Sequence, residues 1–333
     1  MFSLRTFHFY FEIVIFAISY LLNMTVIILA LKLARKTMKE YSSMLIANAV
    51  VDMVYTLITF VTMEMVDVER RMMFFISDSP LKPQSYVMRQ IFAMSWCIGS
   101  FILTINVPLQ FIYRYSLLCL SSPLRPRQLL GIYCAMLAYV CIHTATFFLT
   151  VEPDDNNLES ILRENPVFAD EKLEYVVWNG NHIVNSLQFA DVQVITFGCY
   201  AIIAWTGYKT QKKLTESIST MRSSTVAAQR QMTKLMIMQA AYPFVTLVFP
   251  LAFGCLMTLF GVSASWGNQI MVLAISLIPI LNAFSVILVI PSFRRAIRRI
   301  LLGDIIRVGA ETSVSSGPTA NRQSKSQVVS TII

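Results

Sequence analysis

The chain carries little charge. Asp, Glu, Lys and Arg together make up 14% of its 333 residues, against about 25% in an ordinary soluble domain. The apolar share, 56%, is more than a soluble fold of this length can hide, which excludes a water-soluble globule. Histidine is scarce. His8, His143 and His182 stand far apart, with no carboxylates at ligand spacing, so a metal centre lacks its ligands. The six cysteines form no CxxC pair and lie inside or at the edge of apolar runs. They read as small buried hydrophobes, and a zinc site is not expected. Nucleophile elbow, phosphate loop and HExxH are all missing, and no carboxylates or histidines cluster as a membrane enzyme would need. No enzyme and no cofactor are expected. The net charge of +8 is scattered over short loops and forms no continuous face, so nucleic acid is not an expected partner.

What is present is seven apolar runs, each long enough to cross hydrocarbon as a helix of about 20 residues. They cover 7–31, 42–63, 90–112, 129–150, 186–207, 235–260 and 268–290. Internal prolines at Pro108, Pro243, Pro250 and Pro279 fit kinked membrane helices, whose neighbours satisfy the freed carbonyls. The first run lacks a cleavage site of small residues and is followed at once by Lys32, Arg35, Lys36 and Lys39. It reads as an anchor that is retained. With the N-terminus outside, the cytoplasmic segments 32–41, 113–128, 208–234 and 291–333 hold 20 of the 27 Lys and Arg residues. The predicted orientation is therefore N-terminus outside and C-terminus cytoplasmic. The expected fold class is an all-α membrane protein, a seven-helix bundle over 1–307. Its last part, 292–307, is a membrane-surface amphipathic helix, and 308–333 is a disordered cytoplasmic tail. In "PSFRRAIRRILL", Phe293 heads an apolar stripe, while Arg294, Arg295, Arg298 and Arg299 form the opposite face. That pattern suits an anionic inner leaflet.

Polar groups inside the spans are costly and mark candidate functional residues. Asp52 lies near the middle of the second span, four residues after Asn48 and so on the same face. Asn23 sits deep in the first span and Asn282 deep in the seventh. Asn23, Asp52 and Asn282 are expected to satisfy one another directly or through water; separate partners for each remain the alternative. The only N-x-S/T sequon, Asn23-Met24-Thr25, is buried in that first span, so glycosylation is not expected.

Seven helices with Asn, Asp and Asn in the first, second and seventh resemble the G-protein-coupled receptors. The seventh span, "LNAFSVILVIPSF", keeps Asn282 and Phe293 at that class's separation but lacks its proline and has Val286 for its tyrosine. The triplet ending the third span is Tyr113-Arg114-Tyr115, keeping the arginine and losing the acid. "MKEYSSMLIANAVVDM" at 38–53, "FIYRYSLLC" at 111–119 and "QRQMTKLMIMQAAYPFVTLVFPLAFG" at 229–254 are similar to the nematode serpentine chemoreceptors of the Str superfamily, closest to its class delta (Srd) or Str branches. The resemblance covers about 10 to 300.

It implies a plasma-membrane receptor on sensory cilia, binding small odorant or pheromone-like molecules and signalling to a heterotrimeric G protein. It assigns coupling to Tyr113, Arg114 and Tyr115, and a hinge in the sixth helix to Gln239, Pro243 and Pro250. Many receptors of the class carry a disulfide to the second outer loop; with no cysteine between 142 and 198, that bond cannot form here. Gln188 and Asp191 are candidates for the ligand pocket, Asp191 facing either the pocket or another helix. Arg114 has a second reading as an interfacial arginine whose head reaches the lipid headgroups. The start of the sixth helix offers it Arg230 and Lys234 but no carboxylate, so its expected partners are tyrosine hydroxyls, carbonyls or lipid phosphate. The acidic loop 151–185 reads as solvated charge or as a lid. An odorant-gated channel is the rival opposed by the predicted orientation. A transporter is opposed by the lack of internal repeats.

Overall fold

The computed structural model describes residues 4–34, 39–120, 124–146, 151–152, 156–165, 167–168, 173–217, 219, 223–260, 262 and 265–300. Among these, seven helices are long and apolar enough to cross a membrane. We label them α1 (Leu4–Leu29, continued by a π segment at Ala30–Ala34), α2 (Lys39–Thr62), α3 (Tyr86–Cys119), α4 (Pro126–Ala145) and α5 (Ile183–Ser217). The sixth, α6, is built of Ser223–Pro243 and Phe249–Phe260 with a π segment at Phe244–Val248 between them. The seventh, α7, is built of Ser265–Ser276 and Ile278–Val289.

Local chemistry sets these boundaries. Ser85 caps α3 by accepting the Met88 N–H at 3.2 Å, satisfying one of the donors every helix start leaves open. Pro126 opens α4, where a missing N–H costs nothing. Pro243 ends the first piece of α6, and the π segment follows directly, because the lost N–H and the ring break the i to i−4 ladder. Pro279 follows the break in α7 in the same way. The helices α3 and α5 outrun the apolar runs seen in the sequence. Hydropathy marks only the hydrocarbon, and "YRYSLLC" and "YKTQKKLTES" continue the helix beyond it on their own propensity. Arg114 therefore lies inside α3 and is not at its end.

The side chains are turned as hydrocarbon demands. Leu21, Ile142, Val194 and Phe197 are about two-thirds exposed, at 70%, 68%, 69% and 67%, whereas Asp52 and Asn23 are buried at 0% and 1%. Helix α3 is the hub, packing on α2, α4, α5 and α6, while α7 packs on α1, α2 and α6.

The bundle is all helix, as expected. One end adds an element that hydropathy leaves as loop, a four-stranded antiparallel sheet of order β1-β2-β4-β3. Its strands are β1 (Glu64–Glu69), β2 (Met72–Ser77), β3 (Val151–Glu152) and β4 (Tyr175–Asn179). The period of two divides it cleanly. Val66, Val68, Met73, Phe75 and Trp178 pack on the bundle. Met65, Phe74, Ile76, Tyr175 and Val177 face the other way, under Leu162, Phe168 and Leu173, the first of these from a short helix at Asn156–Arg163. The β1–β2 turn places Arg70 and Arg71 at φ 49° and 66°, the twist that two-residue hairpins need and that asparagine or glycine adopts more cheaply.

A buried charged group ties α1 to this sheet. Arg5 donates through Nε and Nη2 to Asp78 Oδ1 at 2.8 and 2.5 Å. His8 lies 3.5 Å from Asp78 and 3.7 Å from Glu12, one helical turn on, which corrects the expectation that no carboxylate stands at ligand spacing from a histidine, and Ser276 of α7 donates to Glu12 at 2.6 Å. Glu64, at the start of β1, is buried nearby. Burial, and then the neighbouring Asp78 charge, push its carboxyl well above the ordinary range.

Two units separate along the chain, Met1–Ile290 and Pro291–Ile333. Taken alone, residues 291–300 of the second are helical, with Arg294, Arg295, Arg298 and Arg299 exposed. The expected remainder of the amphipathic helix, 301–307, and the tail 308–333 lie outside the described residues.

Candidate functional site

Beneath the sheet, α3, α5, α6 and α7 enclose a cavity of about 80 Å³. The sheet forms its roof through Val66, Met73, Phe75 and Trp178; α3 contributes Trp96, Cys97, Ser100, Phe101 and Thr104; α5 contributes Gln188, Phe189, Val192 and Thr196; α6 and α7 contribute Leu247, Val248 and Met271. The roof is fastened. Trp178 Nε1 donates to Gln188 Oε1 at 3.2 Å, its ring meets Phe189 edge-on at 3.7 Å, and the Gln188 amide donates in turn to Thr146 Oγ1.

Gln188 thus lines the cavity, and Asp191 does not. One turn on, the Asp191 carboxylate accepts from Tyr139 Oη at 2.8 Å and lies 2.8 Å from His143 Nδ1, both on α4. Of the two settings expected for Asp191, pocket or neighbouring helix, it takes the second: the helix turn carries it round to the α4 side.

Below the cavity, polar groups of four helices are joined. Asn282 and Asn48 donate to the two oxygens of Asp52 at 3.0 and 3.2 Å. Asn106 and Gln110 of α3 both donate to Asn48 Oδ1, at 2.7 and 2.5 Å. Asn23 is linked less directly. It donates to Ser19 O at 3.0 Å and to Pro279 O at 3.4 Å; Ser19 Oγ lies 2.8 Å from Thr56 Oγ1, and Thr56 donates to the Asp52 carbonyl at 2.7 Å. The structure therefore brings Asn48, Asp52 and Asn282 into contact and places Asn23 two hydroxyls away. Leaving any one of these groups buried without a partner costs about 1–3 kcal/mol, which is why they gather.

At the end of the bundle away from the sheet, Arg114 is only 3% exposed. Its Nη2 donates to Thr233 Oγ1 at 2.6 Å, to the Gln229 carbonyl at 2.9 Å and to Gln229 Oε1 at 3.4 Å, and Nη1 lies 3.5 Å from Met236 Sδ. All belong to α6. A headgroup-seeking arginine would be exposed; this one is buried in a latch between α3 and α6. The Tyr115 ring meets Trp205 of α5 at a 45° tilt with centroids 5.2 Å apart, and the Tyr113 carbonyl accepts from Ser116. A second cavity, about 410 Å³, opens beside Arg114 between α3, α5 and α6. In α6, Gln239 is buried, Pro243 borders the π segment, and Pro250 lies in the first turn of the second piece.

Sequence reading missed Asn106 and Gln110, although two amides four residues apart in a span are a visible signal. It also missed Gln229 and Thr233, whose same spacing at the start of α6 carries the latch. Nothing in the sequence marked Trp96 or Trp178 as cavity walls.

Residues 8–298 match the family described as serpentine type 7TM GPCR chemoreceptor Str. Among solved structures, the crystal structure of squid rhodopsin is similar in fold, with a TM-score of 0.62 and 13% identity over 94% of this chain and 93% of that one. No curated protein matches the chain.

Proposed function

Because the chain belongs to the serpentine type 7TM GPCR chemoreceptor family Str, we propose that it takes a small odorant or pheromone-like molecule in the cavity beneath the sheet and signals to a heterotrimeric G protein from the Arg114 end. It is a multi-pass membrane protein. In the proposed orientation the sheet lies outside and Arg114 faces the cytoplasm, in agreement with the bias of basic residues. The plasma membrane of a sensory cilium is the proposed location.

One observation carries the reading. Helix α6 touches the cavity through Leu247 and Val248 and holds Arg114 through Gln229 and Thr233. Fourteen residues separate Thr233 from Leu247, roughly 21 Å of helix, with Pro243 between them and Leu247 and Val248 themselves in the π segment. A ligand that shifts this π segment relative to α3 would be felt at the latch through a single element with a built-in hinge. Asp52 and its amides lie between the two ends and join α2, α3 and α7. Once α6 moves, a freed Arg114 can meet the carbonyl end of a partner's helix, a cation against the negative end of its dipole.

The test is signalling in a reporter cell that supplies a G protein. Arg114→Ala should abolish coupling while surface expression persists, with an N-terminal tag reached from outside and a C-terminal tag only after permeabilisation. Normal signalling by the variant, or inverted tag access, overturns the proposal.

A further inference from the structure

Trp96 lines the cavity and is 6% exposed, yet its indole N–H has no hydrogen-bond partner among the described residues. The neighbouring polar groups are engaged. Ser100 and Thr104 donate their hydroxyl protons to Trp96 O and Ser100 O, each at 3.1 Å, and the Gln188 amide is used at both its oxygen and its nitrogen by Trp178 and Thr146. A buried donor without an acceptor is costly and native proteins rarely keep one. Resting on the receptor reading above, we infer that the cavity takes a small uncharged molecule whose hydrogen-bond acceptor meets the Trp96 indole N–H.

Charge and size narrow the class. No Asp, Glu, Lys or Arg lines the cavity among the described residues, so an ammonium or carboxylate ligand would enter with its charge unpaired. Of the two carboxylates adjacent in sequence to lining residues, Asp191 is occupied on the α4 side and Asp67 accepts from Asn165 at 3.1 Å. The walls are otherwise aromatic and aliphatic, which fits an apolar body. A volume of about 80 Å³ is smaller than the ~150 Å³ apolar cavity known to admit benzene. The ligand is therefore limited to fewer non-hydrogen atoms than benzene's six. Ketones, esters, ethers and nitriles of that size satisfy every condition; alkanes, amines and acids each fail one.

The full chain in lipid nanodiscs allows a test that does not depend on signalling. The free thiol of Cys97 lines the same cavity, so occupancy can be read as protection of the Cys97 peptide from a small, neutral thiol-alkylating reagent applied at pH 9 for the hours that labelling of the ligand-free protein requires, because a buried thiol reacts slowly, followed by mass spectrometry. The probes are 2-butanone and its shape match 2-methyl-1-butene, in which the carbonyl oxygen becomes a methylene, together with butylammonium and propanoate, all of five non-hydrogen atoms. Both neutral probes should protect wild-type protein. Trp96→Phe removes the N–H and keeps an aromatic body. It should raise the half-protecting concentration of the ketone about tenfold and leave that of the alkene unchanged, a comparison in which membrane partitioning cancels. Protection of the variant by the alkene shows that it is folded.

If ketone and alkene shift together, or neither shifts, Trp96 is not the ligand's donor and the inference fails. Protection by butylammonium or propanoate as strong as that by the ketone overturns the uncharged class. Protection by none of the four overturns small neutral acceptors as the ligand class altogether. The receptor reading is judged separately, by coupling through Arg114.

Discussion

Thr233→Val isolates the latch between α3 and α6. The Thr233 hydroxyl accepts from Arg114 at 2.6 Å and donates to the Gln229 carbonyl at 2.9 Å, and that carbonyl also accepts from Arg114. Valine keeps the β-branch and nearly the same helix propensity, so α6 itself should be unchanged. What is lost is one acceptor of a buried cation. Hydrogen bonds to charged groups are worth about 1.5–3 kcal/mol. Arg114 keeps the Gln229 carbonyl, so the lower value applies, and about 1.4 kcal/mol is tenfold in an equilibrium. If the latched form dominates at rest, the unlatched fraction rises about tenfold. Ligand-free nucleotide exchange on a purified G protein should rise in proportion, and a spectroscopic distance between labels on α3 and α6 should show a larger open population. Thr233→Ser keeps the hydroxyl and should behave as wild type. Equal basal exchange in wild type and Thr233→Val, with α6 unmoved, would refute the latch.

Two further outcomes follow from the buried polar groups. Asp52→Asn keeps the shape but supplies only one acceptor oxygen where Asn48 and Asn282 each donate to a separate one; one amide then faces another donor, so stability should fall by about 1–3 kcal/mol in thermal unfolding, and ligand-driven exchange should weaken. Glu64 should make stability depend on pH in the alkaline direction. Its folded-state pKa is raised above the ordinary 4.5 by burial and by Asp78, so the native state holds a proton that the unfolded chain releases. The contribution is complete below about pH 4.5 and is lost as pH rises toward the raised value. Glu64→Gln should flatten the Tm-versus-pH curve above pH 5 and raise Tm at pH 8; an unchanged slope would contradict this origin.

Much of the fold was legible because hydropathy is a sum along the chain. The seventh run, read as 268–290, corresponds to a span at Gln269–Val289, and the second, read as 42–63, to Ser42–Thr62. Where helices continued into water, as α5 does to Ser217, the same sum stopped short, since it detects hydrocarbon and not helix. The sheet was hidden for a different reason. Strand β2, "MMFFIS", is buried on both faces and shows no alternation, and its partner β4 lies about a hundred residues on. A short apolar run without periodicity cannot be assigned from sequence.

The sequence by itself determined that this is a seven-helix membrane protein, and that Asp52, Asn48, Asn23 and Asn282 must turn inward, because each residue's cost in hydrocarbon is a property of that residue alone. Only the tertiary structure decided who meets whom. It turned Asp191 toward α4, three residues from Gln188 in the cavity wall, and joined Asn106 to Asn48. It buried Arg114 against α6 and left the Trp96 N–H facing no acceptor among the described residues. Such pairings depend on helix rotation and on segments far apart in the chain, set by the packing of the whole bundle, and no local pattern encodes them.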